Sequence, residues 1–385
     1  MEFNIFDRNI TKNSMQEKDV SKQQVIYLVK MIAFFWLITK LWSYKTWVSD
    51  RLYPVIPPLD ILKNIPEFWH QILFGLSLLS LLIIICFKEN RGVLITLILS
   101  ELLSCALDTV RWQPWEYMYL CFVLIVIINF YKPKNILLLS HLFLVSIYLF
   151  SGIHKMNRGF LSEVWLNMVL VNFLGLSMEF ILKYKLFFAG LFIPIVEVIL
   201  AMLLLVSKSK KTISYFLMFM HFTILIFIGP FGLKYNSVIW PWNLAMIFIL
   251  MIVYLKPINS LDKKVFVYHW YWMVLWFVMP LFSFFGSWYQ YFSFSLYSGK
   301  GNCMYICVSD KEMELSPYFT PDKNNFCTGL NCIDLQNWAL EEIKSAPIPE
   351  IEIYNKIGLY LKHKYKSSHV KIILYDLQNQ KSIEL

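Results

Sequence analysis

Long apolar segments recur along this chain and limit what it can fold into. A helix that crosses a bilayer needs about 17–25 predominantly apolar residues, and nine segments meet this requirement. Only 16% of the residues are charged, whereas a soluble domain averages about 25%. The sequence therefore predicts a polytopic α-helical membrane protein with nine transmembrane helices. The segments are residues 24–44, 68–87, 93–109, 115–131, 136–153, 187–207, 213–229, 239–255 and 269–287.

Basic residues predict how the helices are oriented. Lysine and arginine form the clusters KENR, KPK and KSKK in alternate connecting loops, and loops rich in these residues stay in the cytoplasm. This pattern favours a cytoplasmic N-terminus and, with an odd number of helices, an extracytoplasmic C-terminus. Loss of one helix, such as 93–109 or 115–131, would reverse the orientation of all later ones. Because the net charge of +9 lies in these short clusters, we expect the lipid bilayer as a partner and no nucleic acid.

Two changes in composition divide the chain into three parts. Residues 1–23 are polar and lack the apolar core and cleavage site of a signal peptide, so they predict a cytoplasmic segment followed by a helix that stays as an anchor. Residues 24–287 form the transmembrane helical domain. Residues 288–385 have the patterns of a small extracytoplasmic α+β domain. Its predicted strands are MYICV and VKIILYD, and its predicted helices are LQNWALEEIK and PEIEIYNKIGLYLKHKY.

The cysteines follow the same division. Four fall in the predicted external domain, where an oxidising compartment favours two disulfides in one of three connectivities. Zinc bound by four thiolates is the alternative. Three more cysteines lie in apolar segments and are expected to pack as small hydrophobic side chains. The external cysteines are Cys303, Cys307, Cys327 and Cys332, and those in apolar segments are Cys86, Cys105 and Cys121.

The stretch Ile136–Trp165 carries the first candidate site. It begins as an apolar helix and continues as HKMNRGFLSEVW, so His154 and Lys155 lie where the apolar segment ends. Ionisable groups at such a depth are costly without a partner or a task, which makes them functional candidates. The alternative is that Lys155 extends its ammonium group into the lipid headgroups.

Further ionisable residues lie inside later segments. Glu197 is deep in LFIPIVEVILAMLL, and such a carboxylate must be protonated, paired or next to water. His221 on the next segment is its natural partner. Glu101 and Asp108 are seven residues apart and so lie near one helical face. For each of these residues the alternative is an internal hydrogen bond that fixes helix packing.

The order of these features resembles a known family. SIYLFSGIHKMNRGFLSEVW resembles the segment Y-F-x-A-G-x-x-K-L-x-x-x-W-L of the HTTM domain, the bacterial relative of the membrane core of the vitamin K-dependent gamma-carboxylase. The segments with Glu197 and His221 resemble the family's E-x-x-L-P-x-L-L and F-H segments, and PLFSFFGSWYQYFSFSLYSGKGNCMYICVSD resembles its post-membrane stretch. The resemblance covers residues 20–310. The GIHK element is also similar to the smaller DoxX-like membrane proteins.

The resemblance implies a membrane enzyme of the bacterial inner membrane that acts on a secreted or membrane-bound peptide. In the carboxylase family, a lysine at the position of Lys155 acts as a base toward a reduced quinone, the implied cofactor. His154, Glu197 and His221 would be the supporting polar groups, and no metal is implied. This chain differs from the family pattern because it lacks the arginine of F-S-W-R-M, has histidine before the lysine and has a much shorter outer domain.

Two other functions compete with this interpretation. A non-enzymatic accessory or scaffold subunit of a cell-envelope complex would present residues 288–385 to a protein partner. The aromatic run WYQYFSFSLY favours this function, although it also suits a membrane aromatic belt. A transporter is less favoured because no broken inverted repeat is evident. The chain contains no P-loop, G-x-G-x-x-G, H-E-x-x-H or G-x-S-x-G motif, so the corresponding nucleotide, zinc and serine chemistries lack their signatures.

Overall fold

The computed structural model describes residues 3–257, 263–309, 313–322, 325–366, 370–377, 379 and 381–385. Most of this chain is helical, with a small antiparallel sheet near the C-terminus. The α-helices are α1 (Phe3–Trp42), α2 (Tyr44–Trp47), α3 (Phe68–Cys86), α4 (Arg91–Leu107), α5 (Pro114–Ile128), α6 (Pro133–Lys155), α7 (Met178–Lys183), α8 (Phe192–Val206), α9 (Lys210–Ile228), α10 (Ile239–Val253), α11 (Lys263–Tyr268), α12 (Trp270–Met273), α13 (Met279–Phe282), α14 (Leu335–Glu342) and α15 (Ile351–Lys364). The strands are β1 (Asn302–Val308), β2 (Asn331–Asp334), β3 (Lys371–Asp376) and β4 (Lys381–Glu384). Two π-helices cover Phe160–Phe173 and Val274–Val278.

Five helical segments of the described chain are long and apolar enough to cross a membrane. The coarse prediction of a helical membrane protein is thereby supported, while nine crossings and their orientation stay a prediction. Three of the other four predicted segments form helices that are shorter than their apolar runs, and segment 93–109 forms α4, which has 17 residues. The five are Asp19–Trp42, Phe68–Cys86, Pro133–Lys155, Leu186–Val206 and Lys210–Ile228. The shorter apolar helices include Pro114–Ile128, Phe160–Phe173, Ile239–Val253 and Trp270–Phe285.

Helix α6 is the centre of the bundle. Of its apolar window 83% is buried inside the protein, compared with 28% for Leu186–Val206 and 22% for α9. The last two segments therefore lie at the periphery, where their exposed apolar side chains suit contact with lipid. α6 packs closely on α8 at Gly152. The space there is too small for a side chain, since a Cβ added to Gly152 would lie 2.7 Å from Val198 Cγ2.

The connection after α6 differs from the prediction. The predicted transmembrane segments leave residues 154–186 as a connection, but the structure has the π-helix Phe160–Phe173 and α7 there. Trp165 Nε1 donates a hydrogen bond to the Leu186 carbonyl at 2.9 Å, which holds the π-helix against the start of the next apolar segment. The helix was missed because Arg158 and Glu163 interrupt the apolar run, which is then too short to span a bilayer.

The C-terminal domain is a four-stranded antiparallel sheet with the order β2-β1-β3-β4. Residues of the sheet and of both helices form one apolar core, including Ile306, Trp338, Ile357 and Ile372. The two predicted strands are confirmed as β1 and β3, and the two predicted helices as α14 and α15. β2 and β4 were not predicted, because each has four residues and all four of β4 are exposed.

This domain shares its core with loops of the membrane domain. Tyr53, Ile56 and Val110 belong to the same apolar cluster as Trp338. The Glu342 carboxylate accepts hydrogen bonds from the backbone N–H groups of Leu52 at 2.6 Å and Tyr53 at 2.9 Å. It also accepts one from Trp338 Nε1 at 2.7 Å. The C-terminal domain is therefore docked on the membrane domain by buried polar contacts as well as by apolar ones.

Glu342→Ala is expected to loosen this docking. The substitution leaves two buried N–H donors, of Tyr53 and Trp338, and the half-buried N–H of Leu52 without their acceptor, and each buried donor costs about 1–3 kcal/mol. We expect a lower melting temperature and faster amide hydrogen exchange at residues 52–53. Glu341→Ala, at the exposed neighbouring position, is the control, and equal melting and exchange in the two variants would contradict the expectation.

The aromatic run WYQYFSFSLY is mostly internal. Phe292 packs on Trp112 and Tyr117, with ring centroids 5.2 and 5.1 Å apart. Phe294 packs on Tyr117 and on Phe143, which is in α6. The run therefore joins the two domains. Its packed side chains favour neither a surface for a protein partner nor a membrane aromatic belt.

One disulfide is present where two were expected. Cys307 and Cys327 are bonded, with their Cα atoms 5.2 Å apart, while Cys303 and Cys332 are free. The β1–β2 register places Cys332 opposite Cys307, and Cys303 lies four residues further along β1, about 13 Å away at the usual strand rise. Cysteines more than about 7 Å apart cannot be bridged. The same bond excludes zinc held by all four thiolates.

Peptide mapping without reduction is expected to recover only the Cys307–Cys327 link. Burial raises the pKa of Cys303 to about 12 and that of Cys332 to about 11, so both thiols should resist alkylation at neutral pH until the protein unfolds. The Cys307→Ala/Cys327→Ala variant should lose about 3 kcal/mol of stability, because the bond closes a loop of moderate length. A second linked pair in the map would contradict the single disulfide.

Candidate functional site

Lys155 and Glu197 form an ion pair between α6 and α8. Lys155 Nζ lies 2.8 Å from Glu197 Oε2 and 2.6 Å from Ser151 Oγ. The lysine side chain is 15% exposed and the glutamate side chain 4%. Ser151 is one helical turn before Lys155 and therefore lies on the same face of α6. The close contact at Gly152 allows the two helices to approach each other, so both charged groups have a partner.

This pair is the most accessible of the four buried ion pairs in the described membrane domain. The side chains of Lys40 and Glu101 are 0% exposed, and those of Arg51 and Asp108 are 0% and 1% exposed. These two pairs have the properties of internal packing contacts. Among the cations of these pairs, Lys155 is the one that a molecule arriving from outside could reach. The sequence places Glu101 and Asp108 near one helical face. In the structure they do not act together, because Glu101 pairs with Lys40 and Asp108 pairs with Arg51.

The imidazole of His154 faces away from this pair. Its Nε2 lies 3.1 Å from Ser283 Oγ, its Nδ1 lies 3.1 Å from Lys300 Nζ, and its ring stacks on Phe284 with centroids 4.5 Å apart. An ammonium group only donates, so Nδ1 is the acceptor and Nε2 carries the hydrogen. Ser283 in turn donates to the Pro280 carbonyl at 2.7 Å. These contacts assign the neutral Nε2–H tautomer to His154.

Lys300 was not singled out in the sequence. It belongs to the segment before β1, and its Nζ lies 4.2 Å from the centroid of the Phe284 ring. Burial lowers the pKa of Lys300. Lys300 can reach His154 because the backbone at Gly299 lies directly against the backbone at Gly159. A Cβ on Gly299, whose φ is +64°, would lie 2.1 Å from the carbonyl carbon of Gly159, so only glycine fits there. The glycines that flank Lys300 in SGKGN were the available signal.

His221 does not pair with Glu197, so that part of the prediction is wrong. Its Nδ1 lies 2.8 Å from Asn243 Oδ1 and its Nε2 lies 2.8 Å from Tyr148 Oη. Because the amide oxygen only accepts, Nδ1 donates and Nε2 accepts the tyrosine hydrogen. Tyr148 precedes Lys155 by two turns on α6. The structure therefore links His221 to the helix of Lys155 without placing it against the ion pair.

The arrangement can move a proton at Lys155. The neutral amine of Lys155 beside the ionised Glu197 is a base, and when it takes a proton the ammonium that forms is balanced by the carboxylate, which gives the ion pair observed here. Within the described ranges, no group of three or more histidine, cysteine, aspartate or glutamate side chains could hold a metal ion.

Comparison of the chain with models of known protein families, with curated proteins and with solved structures gave no match.

Proposed function

We propose that this protein is an HTTM-like integral membrane enzyme that uses a reduced quinone and acts on a secreted or membrane-bound peptide. Lys155 is the base that takes a proton from a hydroxyl group. The observation that carries the proposal is the Lys155–Glu197 pair, which is buried between two helices and yet partly open on the lysine side. An ionisable pair at such a site is costly to keep without a task.

The residues present fit the hydroxyl group of a reduced quinone. Lys155, Ser151 and Glu197 offer hydrogen-bonding groups at one place, between α6 and α8. When bound, a reduced quinone would supply the electrons that reduce oxygen. Lys155 takes the hydroxyl proton and Glu197 holds the charge of the amine. His154, fixed by Ser283 and Lys300, positions the end of α6, and His221 fixes Tyr148 on the same helix.

The proposed topology has nine transmembrane helices, a cytoplasmic N-terminus and an extracytoplasmic C-terminal domain in the bacterial inner membrane. The clusters of basic residues support this orientation. The Cys307–Cys327 disulfide is consistent with an oxidising compartment for the C-terminal domain.

The test is quinol oxidation by the purified full-length protein in lipid nanodiscs, followed by quinone absorbance and oxygen consumption. We expect turnover in the wild type, its loss in Lys155→Ala, and its retention in Lys183→Ala, which changes an exposed lysine. Equal turnover in Lys155→Ala and wild type would remove Lys155 from the chemistry. A wild type that oxidises no quinol, ubiquinol and menaquinol included, would overturn the quinone-linked function.

A further inference from the structure

A second polar cluster lies inside the membrane domain, away from Lys155. It joins four helices: Lys40 from α1, Ser77 from α3, Glu101 from α4 and Glu116 from α5. Lys40 Nζ donates to Glu101 Oε2 at 2.7 Å, and Ser77 Oγ donates to the other oxygen of Glu101. Lys40, Glu101 and Glu116 are each 0% exposed, and Ser77 is 1% exposed. The three ionisable groups are therefore closed off from bulk solvent.

The charges of this cluster do not balance if all its groups are ionised. Two carboxylates then face one ammonium group, which leaves a net negative charge in a fully buried place. Such a charge is very costly unless it is neutralised. Glu116 Oε2 accepts a hydrogen bond from Trp36 Nε1 at 2.7 Å. Its Oε1 is buried and has no donor in the part of the chain that the structure describes.

The two carboxyl groups are held at the same turn of α1, because Trp36 donates to Glu116 and Lys40, four residues later, donates to Glu101. Two ionised carboxylates have only acceptor oxygens, so a hydrogen bond between Glu101 and Glu116 requires a proton on one of them. Aspartic proteases show the same behaviour, in which two close carboxyl groups share one proton. The lone oxygen of Glu116 and the excess negative charge therefore have one common explanation.

The other charged groups nearby are engaged elsewhere. Arg111 donates to the carbonyl oxygens of Thr46, Trp47 and Ser104, each at 3.0 Å, and lies 2.6 Å from His70 Nδ1. Arg51 is paired with Asp108. Cys105 of α4 also lies near the cluster and, as a thiol, adds no positive charge. Neither guanidinium group donates to Glu101 or Glu116 in these contacts.

We propose that Glu101 and Glu116 form a proton-binding site that holds a single proton between α4 and α5. The proton lies on Glu116 and is donated to Glu101, which also accepts from Lys40 and Ser77. With the proton bound, the cluster is neutral and connects all four helices. The site does not involve Lys155, so it stands or falls independently of the proposed enzyme activity.

Infrared spectroscopy of the full-length protein in nanodiscs tests the proposal. A protonated carboxyl group has a C=O stretching band that a carboxylate lacks. At neutral pH we expect this band in wild type, its loss in Glu116→Gln and its retention in Glu197→Gln. Lys40→Met should strengthen the band, because a second proton is needed once the ammonium group is absent. If Glu116→Gln fails to fold, the strength of the band in Lys40→Met still tests the proposal.

Three outcomes would overturn the proposal. The first is no protonated carboxyl band in the wild type, which would mean that the nearby guanidinium groups stabilise a fully ionised pair. The second is a band that persists in folded Glu116→Gln or is unchanged in Lys40→Met. The third is a wild-type band that appears only when Na⁺ is removed, because a metal cation would then be the natural occupant.

Discussion

Glu197→Gln is expected to lower quinol-oxidation turnover by about 10²–10⁴-fold, the range that one positioned proton-transfer group contributes. The carboxylate lies 2.8 Å from Lys155 Nζ and holds the charge that the amine gains when it takes a proton. The amide of glutamine is similar in shape but carries no negative charge. Because the two residues act as one unit, we expect Lys155→Ala, Glu197→Gln and the double variant to lose the same factor. The measurement is kcat and kcat/KM in nanodiscs for all four proteins.

The control is Glu179→Gln, which removes an exposed carboxylate from α7 and should keep wild-type turnover. Melting temperatures of all variants separate a loss of fold from a loss of chemistry. If the losses of the two single variants multiply in the double variant, the residues act independently and the shared proton transfer is wrong. If Glu197→Gln keeps full turnover, the pair is a packing contact.

Asp108→Ala is expected to destabilise the protein by about 3–5 kcal/mol, the usual cost of removing one partner of a buried ion pair. Asp108 pairs with Arg51 and lies 4.0 Å from Arg111 Nε. It also accepts from the backbone N–H groups of Ile56 at 3.3 Å and Val110 at 3.4 Å. The substitution leaves two buried guanidinium groups without a carboxylate. It also removes the hydrogen bond from the Ile56 N–H. That bond joins the end of α4 to the loop on which the C-terminal domain docks.

Thermal unfolding in detergent measures this effect. Asp60→Ala is the matched control, because Asp60 pairs with Lys63 at 2.8 Å on the surface, where the two side chains are 78% and 56% exposed. Its loss should leave the melting temperature unchanged, since surface pairs contribute little. The melting temperature of Asp108→Asn should lie between those of Asp108→Ala and Asp60→Ala, because asparagine can still accept hydrogen bonds but carries no charge. Similar melting of Asp108→Ala and Asp60→Ala would contradict the assigned role of Asp108.

The ionisable residues could be selected from the sequence because charge inside an apolar segment is costly wherever the helix packs. That principle singled out Lys155 and Glu197, which the structure joins. It could not select the partner of Glu197, because His221 and Lys155 were both available on nearby segments. The choice depends on which faces of α6 and α8 touch, and the close contact at Gly152 determines this.

Contacts between distant parts of the chain could not be predicted from the sequence, because they too depend on how the helices pack. Lys300 reaches His154 across 146 residues, and no local pattern encodes that distance. Glu116 was not noted, although it lies at the start of an apolar helix, where an acidic residue suits the helix dipole. The proton that we propose it shares with Glu101 depends on the packing of α4 against α5. The prediction of a second disulfide was wrong for the same reason, since strand register decided which cysteines could meet.

The sequence by itself determined the helical membrane architecture, the change to an α+β domain near residue 288, and the positions at which charge enters apolar helices. These follow from the cost of placing polar groups in lipid and from the local periodicity of helices and strands. Only the tertiary structure decided which charges pair, which cysteines bond and how the C-terminal domain docks. Such contacts depend on the rotation, spacing and register of elements far apart in the chain, and these are set by the packing of the whole molecule.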